Sequence, residues 1–299
     1  MEAVLVPFLE ATIRTATPLA FAAIGELVTE RAGVINLGLE GSIIAGCLGA
    51  LIGASAGGPV IGFVGGALAG LTIALLLALF VVAWRADQII AGTALTLLGM
   101  GITGTWARAL LASGHDLTAP TIPAIPLPFL SDIPLLGPVL FDQPAPTYVL
   151  YLIVPALAWW LRRTHAGLAL RATGEHREAA HAAGVRVQLV RALAIAFGGA
   201  MAGIAGATLV LAQVGAFNEG MSAGRGYIAI AIVVLGRWSA RGTAGAALVF
   251  GGAFALQYAF QALGWGLPYQ VFLALPYLLT LVMLASLRGR TAAPEGLGR

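Results

Sequence analysis

Long stretches of this chain contain no charged side chain, and that limits the folds open to it. Residues 41–84 are free of charge, and so are residues 242–287. A helix needs about 20 mostly apolar residues to cross a bilayer. Overall 59% of the residues are hydrophobic and 10% are charged, whereas soluble domains carry about 25% charged residues. The sequence therefore predicts an all-α, polytopic transmembrane helical bundle, formed by residues 1–299 as a single domain.

The uncharged runs predict seven membrane spans, with two further candidates. Two spans fall within 40–85, broken at Gly57-Gly58-Pro59, one each within 87–108, 142–162 and 191–219, and two within 241–288, broken at 264–268. The first candidate, 4–25, is apolar but holds Glu10 and Arg14, which can pair across one helix turn. The second candidate, 227–236, is short for a span.

Basic residues orient the bundle, because cytoplasmic loops carry an excess of Arg and Lys. We place the Arg-rich segment 162–191 inside and the acidic loop of about 112–147, with eight of the fifteen prolines, outside. If 227–236 crosses, the last five arginines all lie inside. This gives nine spans, with the N-terminus outside and the C-terminus in the cytoplasm.

An inverted internal repeat is compatible with this topology. Sliding 36–72 onto 221–257 pairs Gly41 with Gly226 and Gly57 with Gly242. The first copy would start inside and the second outside. Inverted repeats of this kind are common in transporters, with the solute path at the repeat interface.

The sequence lacks the motifs of several classes of protein and of several kinds of site. The chain has no lysine, so it has no Walker A loop and any ATP must act on another subunit. One cysteine, Cys47, cannot build a metal cage. No His-Glu-x-x-His or Gly-x-Ser-x-Gly motif occurs, and no basic–aromatic patch indicates nucleic acid. We expect a protein that is not an enzyme and binds no cofactor or metal itself.

The cytoplasmic segment 171–185 predicts a short helix over about 173–184. Thr173 can cap its N-terminus, Glu175 suits the first turn, and Gly184 can end it in a left-handed conformation. The segment is either a passive solvated loop or a rigid contact for a soluble partner. The candidate contact residues are Glu175, Arg177, Glu178, Ala179, Ala180, His181 and Gly184.

This segment, with Glu-Ala-Ala at 178–180 followed by Gly184, resembles the coupling-helix region of bacterial ABC importer permeases. Residues 25–41, 130–141 and 224–238 resemble the nucleoside branch of that family, near its ribose-type sugar permeases. The match is to the shorter permease of nucleoside ABC transporters. The resemblance implies an inner-membrane complex of two identical or different permeases, two ABC ATPase subunits that use ATP, and an extracytoplasmic solute-binding protein. Membrane lipid surrounds it, and no nucleic acid is expected.

Polar residues in or near the spans are candidates for the translocation path or its gate. They are Asn36, Glu40, Thr93, Thr96, Gln213, Phe217 and Asn218. Each has an ordinary alternative: Thr and Gln join helices, Glu40 can sit at a helix N-terminus, and aromatic residues gather at membrane interfaces.

The solute that this resemblance implies is a nucleoside, and the alternative is a simple, ribose-type sugar. A transporter of another class, coupled to ions and working alone, would need ionisable groups buried deep in its spans. The predicted spans have none apart from Glu10 and Arg14.

Overall fold

The computed structural model of the chain is a bundle of α-helices. It describes residues 2–262 and 293–298, together with positions 270, 274, 278, 281, 282 and 285. The elements are α1 (Glu2–Arg31), α2 (Leu39–Gly57), α3 (Pro59–Ala78), α4 (Gln88–Ala112), β1 (Ala124–Pro126), α5 (Leu136–Phe141), β2 (Asp142–Pro144), α6 (Ala145–Arg163), α7 (His165–Glu175), α8 (Arg177–Ala182), α9 (Val187–Leu209), α10 (Arg225–Leu235) and α11 (Ala240–Ala262). A π-helical turn extends α3 to Ala83, and another extends α9 to Val214.

The all-α, membrane-spanning class is confirmed. Among the described residues, five helices are long and apolar enough to cross a bilayer: α2, α3 with its π turn, α4, α9 with its π turn, and α11. The predicted break at Gly57-Gly58-Pro59 is where α2 ends and α3 begins. The second break, at 264–268, and the last span lie outside the described residues, so the count of nine spans stays a prediction.

The bundle has two ends, which we call the coupling end and the loop end. Arg31, at the end of α1, bonds the carbonyl of Trp238 after α10, and Gly296 donates its N–H to Gly174 in α7, so these segments share the coupling end. At the loop end, residues 117–119 pair with residues 215–217 of the α9–α10 connection. The segment after α9 therefore crosses the bundle, as predicted.

Helix α10 makes only half of that crossing. Its 11 residues rise about 16 Å, roughly half of a hydrocarbon core of about 30 Å. The stretch 215–224 supplies the other half as a chain of turns, in which Gly215, Gly220 and Gly224 have φ of +73°, +70° and +80°. Glycine adopts these angles without the steric cost that a Cβ would bring.

Glycines place α2, α3 and α9 in backbone contact. A Cβ added to Gly203 of α9 would lie 2.1 Å from the carbonyl oxygen of Gly66 in α3, and one on Gly46 of α2 would lie 2.5 Å from that of Gly203. Gly70 meets Gly199 in the same way, at 2.4 Å. Lipid gives no hydrophobic drive for helix association, so this close approach supplies much of the packing energy.

The contacts between helices are compatible with an internal repeat, in which each helix of one half corresponds to a helix of the other. Helix α9 packs on α2 and α3, while α1 packs on α10 and α11. Helices α2 and α3 pack together, as do α10 and α11, and α1 also packs on α9. Exchanging α1 with α9, α2 with α10 and α3 with α11 leaves this set of contacts unchanged, which fits the repeat proposed from residues 36–72 and 221–257.

One expectation about α1 was wrong. Within the described residues no ion pair joins Glu10 to Arg14; the Arg14 carbonyl instead accepts a hydrogen bond from Gln213 at 2.6 Å. The helix continues past the apolar stretch 4–25 to Arg31, and this places Glu26 and Glu30 inside it, 0% and 1% exposed. Ionisable groups are therefore buried in the bundle, contrary to the argument made against an ion-coupled transporter.

Candidate functional site

The coupling segment, residues 165–185, is two helices rather than the single one predicted. Helix α7 ends at Glu175, and α8 begins at Arg177 after the extended residue His176. Thr173 does not cap α8, because it lies buried in α7 and its hydroxyl donates to the Ala169 carbonyl. The predicted start at Thr173 was wrong: the apolar face of α7, against α6 and α9, continues the helix past it.

Gly184 ends α8 as the sequence predicts. Its φ is +84°, and the N–H of Val185 reaches back to the Ala180 carbonyl at 3.0 Å. This six-to-one bond is the mark of a Schellman motif, which needs a left-handed residue at that position. No heavy atom lies within 4 Å of where a Cβ on Gly184 would stand, so the requirement for glycine comes from the backbone alone.

Helix α8 presents most of its side chains to solvent. Glu178, Ala179 and His181 are exposed, while Ala180 is 3% exposed and anchors the helix to the bundle. Beside α8 lies an open cleft of about 930 Å³. Its charged lining is mostly basic, and comprises Arg85, Asp87, Arg177, Glu178, Arg186 and Arg191, with His181 beside them. The arrangement is a rigid exposed helix next to a polar groove, which suits docking of a soluble subunit.

Glu175 connects the coupling segment to two membrane helices. Its carboxylate lies 3.7 Å from the Arg31 guanidinium at the end of α1. Arg31 in turn donates through Nε and Nη2 to the Trp238 carbonyl, at 2.8 and 2.6 Å. The Trp238 indole N–H donates to the Glu30 carboxylate. A displacement of α7 thus has a bonded route to the end of α10.

Glu40 holds α10 at its other end. The carboxylate is 1% exposed and accepts the N–H of Gly224 at 2.7 Å through Oε1 and that of Gly226 at 2.6 Å through Oε2. A helix N-terminus leaves such N–H groups without partners and favours a negative charge. We call this contact between the start of α2 and the start of α10 the helix junction. Glu40 serves the N-terminus of α10, besides lying in the first turn of α2.

Neighbouring polar groups fix the loop that leads into the helix junction. The N–H of Asn36 donates to the Glu26 carboxylate at 2.9 Å, and the Thr96 hydroxyl of α4 donates to the Leu37 carbonyl at 2.9 Å. Asn36 and Thr96 are 1% and 4% exposed. These bonds within the chain position the helix junction.

The remaining candidates do not come together at one site. Phe217 is 2% exposed and packs in the core, whereas its neighbour Asn218 is exposed. Gln213 bonds the Arg14 carbonyl. Thr93 lies on the exposed face of α4, although its hydroxyl bonds its own helix.

The structure also reveals an ion pair that the sequence reading missed. Arg108 near the end of α4 meets Glu219 at 2.9 Å, and both side chains are exposed. Trp238, with its bonds to α1, was missed as well. In both cases the partners are far apart in sequence, and neither helical periodicity nor spacing signals the contact.

Comparisons with known proteins identify the family of this chain. The family described as the branched-chain amino acid transport system / permease component matches residues 8–284. A guanosine ABC transporter permease of Bacillus subtilis is 31% identical, over 96% of this chain and 94% of its own length. A nucleoside ABC transporter permease of Lactococcus lactis subsp. cremoris is 31% identical, over 94% and 92%.

A putative glucose ABC transporter permease of Haloferax volcanii is 35% identical, over 87% of this chain and 79% of its own length. No solved structure shows a significant match. With the family match spanning almost the whole chain, the resemblance drawn from residues 171–185 and the three further stretches is confirmed. The chain belongs to the branched-chain amino acid transport system / permease component family and is the permease component of an ABC transporter, not an enzyme.

Proposed function

We propose that this permease imports nucleosides across a bacterial inner membrane. The observation that carries the proposal is the end-to-end similarity to two permeases named for guanosine and for nucleosides, which leaves no large part of either chain unmatched. Glucose or another simple sugar is the second candidate, favoured by the similarity to the permease named for glucose.

The coupling end would face the cytoplasm and carry the ABC ATPase on α8 and the cleft beside it. The loop end, with residues 112–147, would meet an extracytoplasmic solute-binding protein. A second permease, identical or different, would complete the membrane part. These placements follow the excess of arginine at the coupling end, with Arg162, Arg163 and Arg186 exposed there.

In this scheme ATP-driven closure of the ATPase pair displaces α8, and α7 moves with it. The Glu175–Arg31 and Arg31–Trp238 contacts carry the displacement to the end of α10, whose other end is tied to α2 at the helix junction. Helix α10 is short and bonded at both ends, so it is the element we expect to shift between inward-open and outward-open states. The Asn36 side-chain amide, buried without a hydrogen-bond partner among the described residues, would gain partners in the other state.

Reconstitution of the complete complex in proteoliposomes tests the solute and the energy source together. We expect accumulation of labelled guanosine that needs both ATP and the loaded binding protein, and that excess unlabelled guanosine abolishes while excess ribose or glucose does not. A complex with a hydrolysis-deficient ATPase is the control. Absence of guanosine accumulation, together with ATP-dependent accumulation of labelled ribose or glucose, would assign a sugar; accumulation by the permease alone under an ion gradient would contradict the ABC mechanism.

Single-cysteine labelling tests the orientation. In a Cys47→Ala background, Asp132→Cys in the Pro-rich loop and Ala183→Cys beside α8 both present exposed thiols. An impermeant maleimide added to whole cells should label position 132 and leave 183 unlabelled until the membrane is opened. The reverse pattern would invert the topology and remove α8 from contact with a cytoplasmic ATPase.

A further inference from the structure

An apolar cleft of about 630 Å³ opens between α1, α6, α7 and α9, and it shares no lining residue with the basic cleft. Every residue that lines it is apolar, including Trp159, Trp160, Ala169, Leu193 and Phe197. Trp159 and Leu193 are 62% and 60% exposed. In a bilayer an apolar cleft of this kind faces hydrocarbon and would be filled by it, since an unfilled void loses the dispersion contacts of its walls.

The cleft lies in the half of the bundle nearest the coupling end. Its walls come from the C-terminal part of α6 and the N-terminal part of α9, and α7 closes it on the side of the coupling segment. Tryptophan side chains are typical of the depth at which headgroups meet acyl chains. Trp159 and Trp160, one turn before the end of α6, therefore place the mouth of the cleft at that depth.

Basic residues adjoin the lining of the cleft along the chain. Between the lining residues Trp160 and Ala166 lie Arg162, Arg163 and His165, and all three are exposed. The sequence from 161 to 174 contains no acidic residue. Basic residues beside a groove between helices on the cytoplasmic side attract anionic headgroups. An apolar groove and a positive rim therefore lie next to each other at the right depth for one phospholipid.

We propose that this cleft binds an anionic phospholipid, with one acyl chain between α6 and α9 and the phosphate against Arg162 and Arg163. A bare acyl chain would not use the arginines, and a helix of a second permease would leave them without a counter-charge. Since α7 forms one wall and carries Glu175, the bound lipid supports the helix that joins α8 to Arg31. The site does not depend on which solute the permease carries.

Native mass spectrometry of the full-length chain measures this directly. The protein is released from mixed micelles containing equal amounts of phosphatidylglycerol and phosphatidylcholine with the same acyl chains. We expect the parent to retain phosphatidylglycerol about tenfold over phosphatidylcholine. The double variant Arg162→Gln, Arg163→Gln should lose the preference, and Arg162→Lys, Arg163→Lys should keep most of it because the charge remains.

Two further variants separate the cleft from a general surface charge. Ala169→Trp fills the groove with the arginines intact and should abolish retention of the lipid. Arg186→Gln removes an exposed arginine from the same end of the bundle but outside this cleft, and should retain lipid like the parent. The proposal would be overturned if the parent retained both lipids equally, or if folded Ala169→Trp retained the lipid undiminished. It would also be overturned if inorganic phosphate displaced the lipid, or if the lipid were lost when two chains associate.

Discussion

Replacing Gly184 by valine is expected to leave insertion and assembly intact and to lower ATP-driven transport about tenfold. A β-branched residue is strongly disfavoured at φ of +84°, with a cost of about 1–3 kcal/mol, and about 1.4 kcal/mol corresponds to a factor of ten. The open space around the position means that the strain falls on the end of α8 and not on the bundle. Transport and ATPase stimulation by the loaded binding protein, measured in the assembled complex, give the result.

Asparagine provides the matched control, because it tolerates the left-handed region. Gly184→Asn should transport within about twofold of the parent, although it also adds a side chain at this position. Glu178→Arg reverses an exposed charge on α8 without altering the cap and should also uncouple the ATPase. If Gly184→Val and Glu178→Arg both insert, assemble and transport like the parent, α8 is a passive surface helix.

Replacing Glu40 by alanine should destabilise the protein itself. Two N–H groups at the start of α10, that of Gly226 buried and that of Gly224 partly buried, would lose their acceptor, at up to about 1–3 kcal/mol each. We expect the thermal midpoint of the purified chain to fall by about 5 °C or more. Backbone amides at 224 and 226 should exchange their hydrogens much faster, which locates the damage at the helix junction.

Asp87 is the matched control for Glu40. It also accepts two backbone N–H groups at a helix N-terminus, those of Ile89 and Ile90, but it is exposed to solvent. Water can replace its carboxylate, so Asp87→Ala should lower the midpoint far less. Equal effects of the two substitutions would show that burial at the helix junction adds nothing to the ordinary value of a helix cap.

Charge and turn residues were enough to predict most of the helices. The break at Gly57-Gly58-Pro59 falls within one residue of the observed helix ends, because glycine and proline act on the local backbone. The burial of Glu26 and Glu30 in α1 was missed, since carboxylates near the end of a span look like residues that face water. Only their distant partners, Asn36 and Trp238, explain why a helix can bury them.

Some features of the candidate sites could likewise be predicted from local sequence, and others depend on distant contacts. Gly184 and the exposed face of α8 follow from local rules of helix termination, and the structure shows both. The role of Glu40 at α10 depends on its contacts with Gly224 and Gly226. These glycines lie 184 and 186 positions further along the chain, so no local pattern encodes the contacts. The burial of Phe217 could not be predicted either, because aromatic residues near a span end occur both at the membrane interface and in the core.

The glycine contacts among α2, α3 and α9 bear on how the transporter can change shape. Where backbones touch, as at Gly46, Gly66 and Gly203, no layer of side chains exists that could switch rotamers and let one helix slide past another. These three helices must then behave as a single stiff body on the timescale of a transport cycle. Helix α10 also meets the backbone of α2 in this way, where Gly226 lies against Glu40. Movement of α10 is therefore expected at its other end, where the side chains of Arg31 and Glu30 hold Trp238.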